Sequence, residues 1–346
     1  MYNMKLTQDH LDNALKEHKN IVEIYKEKYT TENRRDWRTY EQRLAVRIKR
    51  ASKELEPIVE NAYSMINVSK PSKGRPPKIP VTKRVTILLL KDIFQLSNRK
   101  MANFLTFFTV LTDIDISYKT VERTYSDELI KLTIHNMFQI LVKNKGIKKA
   151  DTTGDGTGYS LTITKHYRKE REKELKESDN ESDNESDNEK KNNEKKRKSF
   201  VRAFALMDID TGMYVGYGTS MKSEKEAFRN AISMTKKLGV TVNSTRLDKY
   251  YSHQSITEKF DPGTTTYIIP KKNAKIKGPH AWKQIIVNFI EHPFSYLREY
   301  YKRNNSESGF SVDKRMSGWK IWQRKTNRID TALMCKGVWH NLMLIG

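Results

Sequence analysis

A chain of 346 residues with 65 lysines and arginines against 42 aspartates and glutamates carries a formal charge of +23 at pH 7, and 36% of it is hydrophobic. That is enough apolar material for one or two ordinary domains, and the basic excess asks for a polyanionic partner, nucleic acid above all. One cysteine, Cys335, excludes an internal disulfide and a cysteine-based zinc site, and no apolar run reaches bilayer length, so an intracellular, nucleoid-associated cytoplasmic protein with no membrane partner is expected.

Residues 1 to 145 hold 27 basic and 17 acidic residues and read as helical throughout. The first 60 residues, rich in Lys and Glu, suit helices for dimer contact or DNA binding. From Lys70 to Arg84 there are six cations and no acid, and Pro76 and Pro77 keep Arg75 in extended chain, fit either for a linker or for an A·T-rich minor groove. Val81 to Phe94 then reads as an apolar helix, Ser97 as the cap of a second and Ser117 as the cap of a third. Three short helices suggest a helix-turn-helix whose last member offers Tyr118, Lys119, Glu122 and Arg123 to a groove; a plain helical bundle with a polar face is the competing reading.

At residue 146 the pattern changes to strands. Gly146 to Ala150 serves as a first strand, Gly154 to Gly158 as a turn, and Tyr159 to Lys165 as a second strand. Arg168 to Lys198, with 11 basic and 11 acidic residues and three Ser-Asp-Asn-Glu repeats, has the composition of a disordered charged insert. Phe200 to Ile209 resumes a strand, Lys222 to Leu238 a helix, Val240 to Thr245 a strand ending near Asp248, then a further helix, and Thr265 to Ile269 a fifth strand. The succession implies an α/β (α+β) fold, a mixed sheet flanked by helices. The acid-free run with Lys271 and Lys272 reads as phosphate-facing. Four histidines, His166, His253, His280 and His340, lack metal-ligand spacing, and Trp282, Trp319, Trp322 and Trp339 read as core, with packing against DNA ends the alternative for Trp319 and Trp322 beside Lys314.

Near the C-terminus Tyr300, Arg303, Glu307 and Lys314 follow one another at offsets of 3, 7 and 14. At 100° per residue those offsets share about 60° of one helical face. Ser308 and Gly309 offer a helix stop before Lys314. The quartet resembles the Tyr-Arg-Glu-Lys signature of insertion-sequence DDE transposases, and the resemblance implies an RNase H-like catalytic domain over residues 146–346, interrupted by the insert at 168–198 and preceded by a DNA-binding and dimerisation region over 1–145.

In that family Glu307 is the third of three metal-binding carboxylates, Asp248 with its following tyrosines matches the second, and the first is Asp151, with Asp155 as the alternative because each is followed by a Thr/Gly-rich run. By resemblance these carboxylates hold two Mg2+ ions, with Mn2+ as a substitute, cleave the element's terminal inverted repeats and join the 3′-hydroxyl to target DNA within a homodimer. Tyr300, Arg303 and Lys314 then grip the strand, with Arg75, Lys119, Arg123, Lys271 and Lys272 as outer DNA contacts. Another RNase H-like nuclease of the resolvase type, or an inert DNA-binding derivative, are the alternatives.

Overall fold

The structure is a computed structural model describing residues 6–29, 36–67, 79–109, 113–161 and 200–345. The charged insert and Arg75 lie outside the described residues. Six helices come first: α1 (Gln8–Tyr29), α2 (Trp37–Ser64), α3 (Val81–Ile93), α4 (Asn98–Phe107), α5 (Tyr118–Thr124) and α6 (Glu128–Asn144). Ser97 and Ser117 cap α4 and α5 by accepting from the backbone N–H three residues on, as their positions predict.

Five strands follow, β1 (Lys149–Ser160), β2 (Phe200–Asp208), β3 (Tyr214–Ser220), β4 (Thr241–Leu247) and β5 (Thr265–Tyr267), in the spatial order β3-β2-β1-β4-β5. The first three are antiparallel neighbours, while β4 runs parallel to β1 and β5 parallel to β4. This is the RNase H-like arrangement. Helix α7 (Glu224–Lys237) crosses from β3 to β4. Between β4 and β5 there are only two 3-10 turns, Lys249–Tyr251 and Gln254–Lys259, where the sequence pattern had suggested a further helix. Helices α8 (His280–Glu291), α9 (Pro293–Tyr300), α10 (Asn304–Ser317) and α11 (Thr326–Leu342) complete the chain.

The expected hairpin over Gly154 to Gly158 is absent. The chain instead passes through Gly154, Gly156 and Gly158 as one strand, paired residue for residue with β2 from Thr152 to Ser160. The glycines recur with the period of a strand and share one face, and a Cβ on Gly154 would lie 2.8 Å from both Leu247 and Phe204. They answer to close packing rather than to a turn.

The two faces of the sheet are covered differently. Gly216 and Gly218 of β3 admit the backbone of α7, since a Cβ on Gly218 would stand 2.1 Å from the Ala227 carbonyl. On the opposite face Tyr214 and Tyr217 meet α11, whose buried residues run round all its sides. Such a helix needs cover everywhere. The N-terminal helices supply it: Trp339 Nε1 donates to the Leu89 carbonyl at 2.8 Å, and the buried ammonium of Lys336 lies 3.0 Å from Asp92. The change from helix to strand at residue 146 is therefore a change of secondary structure and not a gap in the core. Among the described residues no helix is long and apolar enough to cross a membrane.

Candidate active site

Strand β1 and helix α10 make the frame. Thr153 on β1 donates to the Arg303 carbonyl at 3.2 Å and meets the Ser306 hydroxyl at 3.2 Å, and four residues along the strand Thr157 accepts from Lys314 Nζ at 2.7 Å. Four strand residues span about 13 Å and the eight helical residues from Ser306 to Lys314 about 12 Å, so the helix lies along the strand in register. Asp155 sits midway between the two threonines on the same strand face.

Asp248 follows the last residue of β4, and the register sets Leu247 beside Gly154, bringing Asp248 next to Asp155. It caps the 3-10 turn after it, accepting from Tyr250 N–H at 2.7 Å. Arg303 joins the cluster: its guanidinium lies 2.7 Å from Glu307 and 3.8 Å from Asp248. Tyr300, largely buried, has its ring 6.0 Å from that guanidinium, and burial pushes its phenol up to about 12.

The half-buried carboxyl of Asp155 is pushed up to about 7, first by burial and further by repulsion from Glu307 and Glu224, against the pull of Arg303 and the Gly156 N–H. Asp248 and Glu307 share the one guanidinium, while burial above all, with Glu307 and Glu224 adding to it, keeps the proton on Asp155. Among the described residues no three His, Cys, Asp or Glu side chains already stand close enough to chelate an ion, because Arg303 occupies the space between two of the carboxylates. The donors are nonetheless all hard oxygens, the set that suits Mg2+.

Asp151, the favoured first carboxylate of the sequence pattern, stands apart from this cluster. It is four residues before Asp155, about 13 Å away along the strand. There it accepts from the Ser244 hydroxyl and lies 3.9 Å from Arg246, which pairs in turn with Glu299. The geometry groups Asp155, the alternative, with Asp248 and Glu307. The preference for Asp151 followed from ending a strand at Ala150, and the strand does not end there.

The quartet comes together with one break, in a different place from that anticipated. Tyr300 closes α9, Tyr301–Arg303 form a 3-10 turn, and α10 then runs unbroken through Ser308 and Gly309 to Ser317, so Glu307 and Lys314 share one helix. Lys314 Nζ also lies 5.3 Å from the Tyr159 ring.

Of the outer contacts, Lys119 and Arg123 are exposed on α5, but Glu122 between them pairs with Arg328 of α11 and is not presented to a groove. Lys271 Nζ donates to the Tyr250 carbonyl at 3.1 Å, which sets it beside Asp248, and Lys272 is exposed next to it. Of the tryptophans assigned to the core, Trp282 and Trp339 are buried, whereas Trp319 and Trp322 are 36% and 39% exposed.

Sequence reasoning missed Glu224. Its carboxylate occupies the space a Cβ on Gly156 would take, 2.4 Å away, and accepts from the Tyr251 hydroxyl at 2.9 Å. The alternation of Thr and Gly with Asp155 was the available signal for both the helix-bearing threonines and this close approach.

Comparison with family models finds no match, and no solved structure matches. Among curated proteins the chain is similar to the probable transposase for insertion sequence element ISA1214 of Archaeoglobus fulgidus, 42% identical over 298 residues that cover 86% of this chain and 85% of that protein. Similar along nearly the whole of both chains, and built on an RNase H-like sheet with acidic side chains gathered at a strand end, this protein belongs to the family of insertion-sequence transposases.

Proposed function

We propose that the protein is a DDE-type DNA transposase in which Asp155, Asp248 and Glu307 hold two Mg2+ ions, or Mn2+ in their place, for cleavage of element ends and joining of the 3′-hydroxyl to target DNA. The observation that carries this reading is the gathering of the three carboxylates around Arg303 at the carboxyl end of β4. An anionic site with more charge than its one guanidinium can balance favours divalent cations. Bound there, two such ions would supply activation of the attacking oxygen and stabilisation of the leaving one.

The chain's own groups do the positioning. Arg303 holds Asp248 and Glu307 in place. Lys314, steadied by Thr157, offers its charge to the strand one step along β1. Tyr300 keeps its proton at neutral pH and packs beside Arg303. Lys271 and Lys272 beyond Asp248, and Lys119 and Arg123 on α5, would contact the duplex backbone, which fixes position without reading sequence. Double-stranded element ends and target DNA are the partners in this scheme, with a homodimer to bring two ends together.

The test is incubation with DNA bearing the element's own ends and Mg2+, followed by detection of cut and joined strands. Wild-type protein is expected to cut and join, and Glu307→Gln, Asp248→Asn and Asp155→Asn to do neither. Cutting without joining would support a resolvase-type nuclease instead. Binding of the ends with no cutting under any metal condition would leave a DNA-binding protein and sink the catalytic assignment.

A further inference from the structure

Two adjoining segments hold aromatic rings out of the core at the far end of β1. After α10, Gly318 turns the chain at φ 75°, and residues 319–323 form a strap against the strand end. Ser160 N–H donates to the Trp319 carbonyl at 3.0 Å and Ile321 N–H to the Ser160 carbonyl at 2.9 Å. Ile321 is buried as the anchor, and Gln323 Nε2 ties the strap to Asn98 at the head of α4 at 3.0 Å. Between these fixed points Trp319 and Trp322 remain exposed, with Lys320 Nζ 4.1 Å from the Trp322 ring.

The neighbouring segment follows α3 directly. Gln95, held at φ 54°, donates to the Met316 carbonyl at 3.1 Å and so draws the end of α3 against the end of α10, where the strap begins. A left-handed residue without glycine's freedom is strained, and the contact it secures is with the last turn of α10, just before the strap. Phe94 next to it is 59% exposed and stacks on Phe104, with ring centroids 6.3 Å apart. Grouped exposed rings on a well-anchored backbone mark a binding surface more often than an unfinished core.

Charge identifies the occupant. Lys314 to Lys325 contains five cations and no acid, and residues 93–111 contain Arg99 and Lys100 and no acid. Flat aromatic faces interleaved with cations match bases that stack and phosphates that pass beside them. Bases inside a duplex do not offer their faces, so the match is to an opened strand. Ser160, where the strap is attached, is five strand residues from Asp155, about 17 Å, which is the length of about five stacked nucleotides.

We propose that the strap carrying Trp319 and Trp322, with Phe94 beside it, is a stacking platform for unpaired DNA leading away from the carboxylate site. The proposal rests on the reading of the protein as a DNA-cleaving transposase, yet its test needs no catalysis.

Fluorescence anisotropy of the full-length protein, without metal, compares a labelled 12-mer of oligo(dT), an abasic deoxyribose-phosphate 12-mer and a 12-base-pair duplex. Wild-type protein is expected to bind oligo(dT) about tenfold more tightly than the abasic strand. Trp322→Ala should remove most of that difference while leaving the abasic strand's affinity unchanged, and Trp322→Phe should restore it in large part. Equal binding of oligo(dT) and the abasic strand by wild-type protein overturns the proposal, and this comparison stands even where the alanine variant fails to fold. So does loss of a dimer in Trp322→Ala with oligo(dT) affinity intact, which would make the surface an interface between two copies. Cutting of element ends, read separately with Glu307→Gln, fails or survives independently of either result.

Discussion

The sharpest consequence of the geometry concerns which of two nearby aspartates is the first carboxylate. Asp155 interacts with Arg303 and Glu307 and stands at the strand level that Asp248 reaches just past β4, whereas Asp151 meets Ser244 and Arg246 and has a side chain 47% exposed. A carboxyl raised from about 4 to about 7 is favourable to the folded state while protonated, and this contribution is lost as pH rises between those values. By pH 8 the metal-free protein has lost roughly 2 to 4 kcal/mol, the upper figure following from the full shift and the lower allowing for solvent screening. Asp155→Asn never ionises and avoids that loss.

The metal-free asparagine variant is therefore expected to melt about 3 to 6 °C above wild type at pH 8, and the gap should close toward pH 5. Mg2+ should reverse the order by stabilising only wild type. In the cleavage assay the same variant lacks an anionic ligand, and loss of several kcal/mol of charge stabilisation predicts a fall on the order of 10³-fold or more. Asp151→Asn breaks an exposed pairing worth about 1 kcal/mol or less, so cleavage should stay within about fivefold. Calorimetric melts and single-turnover cleavage measure both. Normal cleavage by Asp155→Asn together with loss in Asp151→Asn would refute the reasoning.

Other outcomes follow from the same contacts. Because Asp155 must lose a proton to ligate, Mg2+ affinity should weaken toward tenfold per pH unit below about 7, and titration calorimetry in buffers of different ionisation enthalpy should detect a released proton at pH 6 but almost none at pH 8. Lys336→Met leaves the buried Asp92 carboxylate without its cation and should cost about 3 to 5 kcal/mol in chemical denaturation, most of it recovered when Asp92→Leu is added. Gly218→Ala drives a methyl group into the Ala227 carbonyl and should destabilise by about 3 kcal/mol or more, seen as a lower Tm or insoluble expression. Thr157→Val removes the hydroxyl that steadies Lys314 and should weaken DNA binding by less than Lys314→Ala does, as read by anisotropy with an element-end duplex.

The sequence by itself determined the polyanionic partner class, the helical N-terminus, the caps at Ser97 and Ser117, and the strands at 200–208, 241–247 and 265–267, but it split β1 into two strands and did not register β3. Those features are local: a serine caps the helix beside it, and β-branched runs extend wherever they are paired. The spacing from Tyr300 to Lys314 was equally legible, because helical periodicity is written in sequence separation.

Only the tertiary structure decided that Gly154, Gly156 and Gly158 lie inside a strand, since what makes glycine necessary there is the approach of Leu247, Phe204 and Glu224 from elsewhere in the chain. With the strand extended, the cluster formed around Asp155 instead of Asp151. The exposure of Trp319 and Trp322 was likewise decided by where Ser160 and Asn98 hold the strap, a matter of long-range hydrogen bonds that no local pattern encodes.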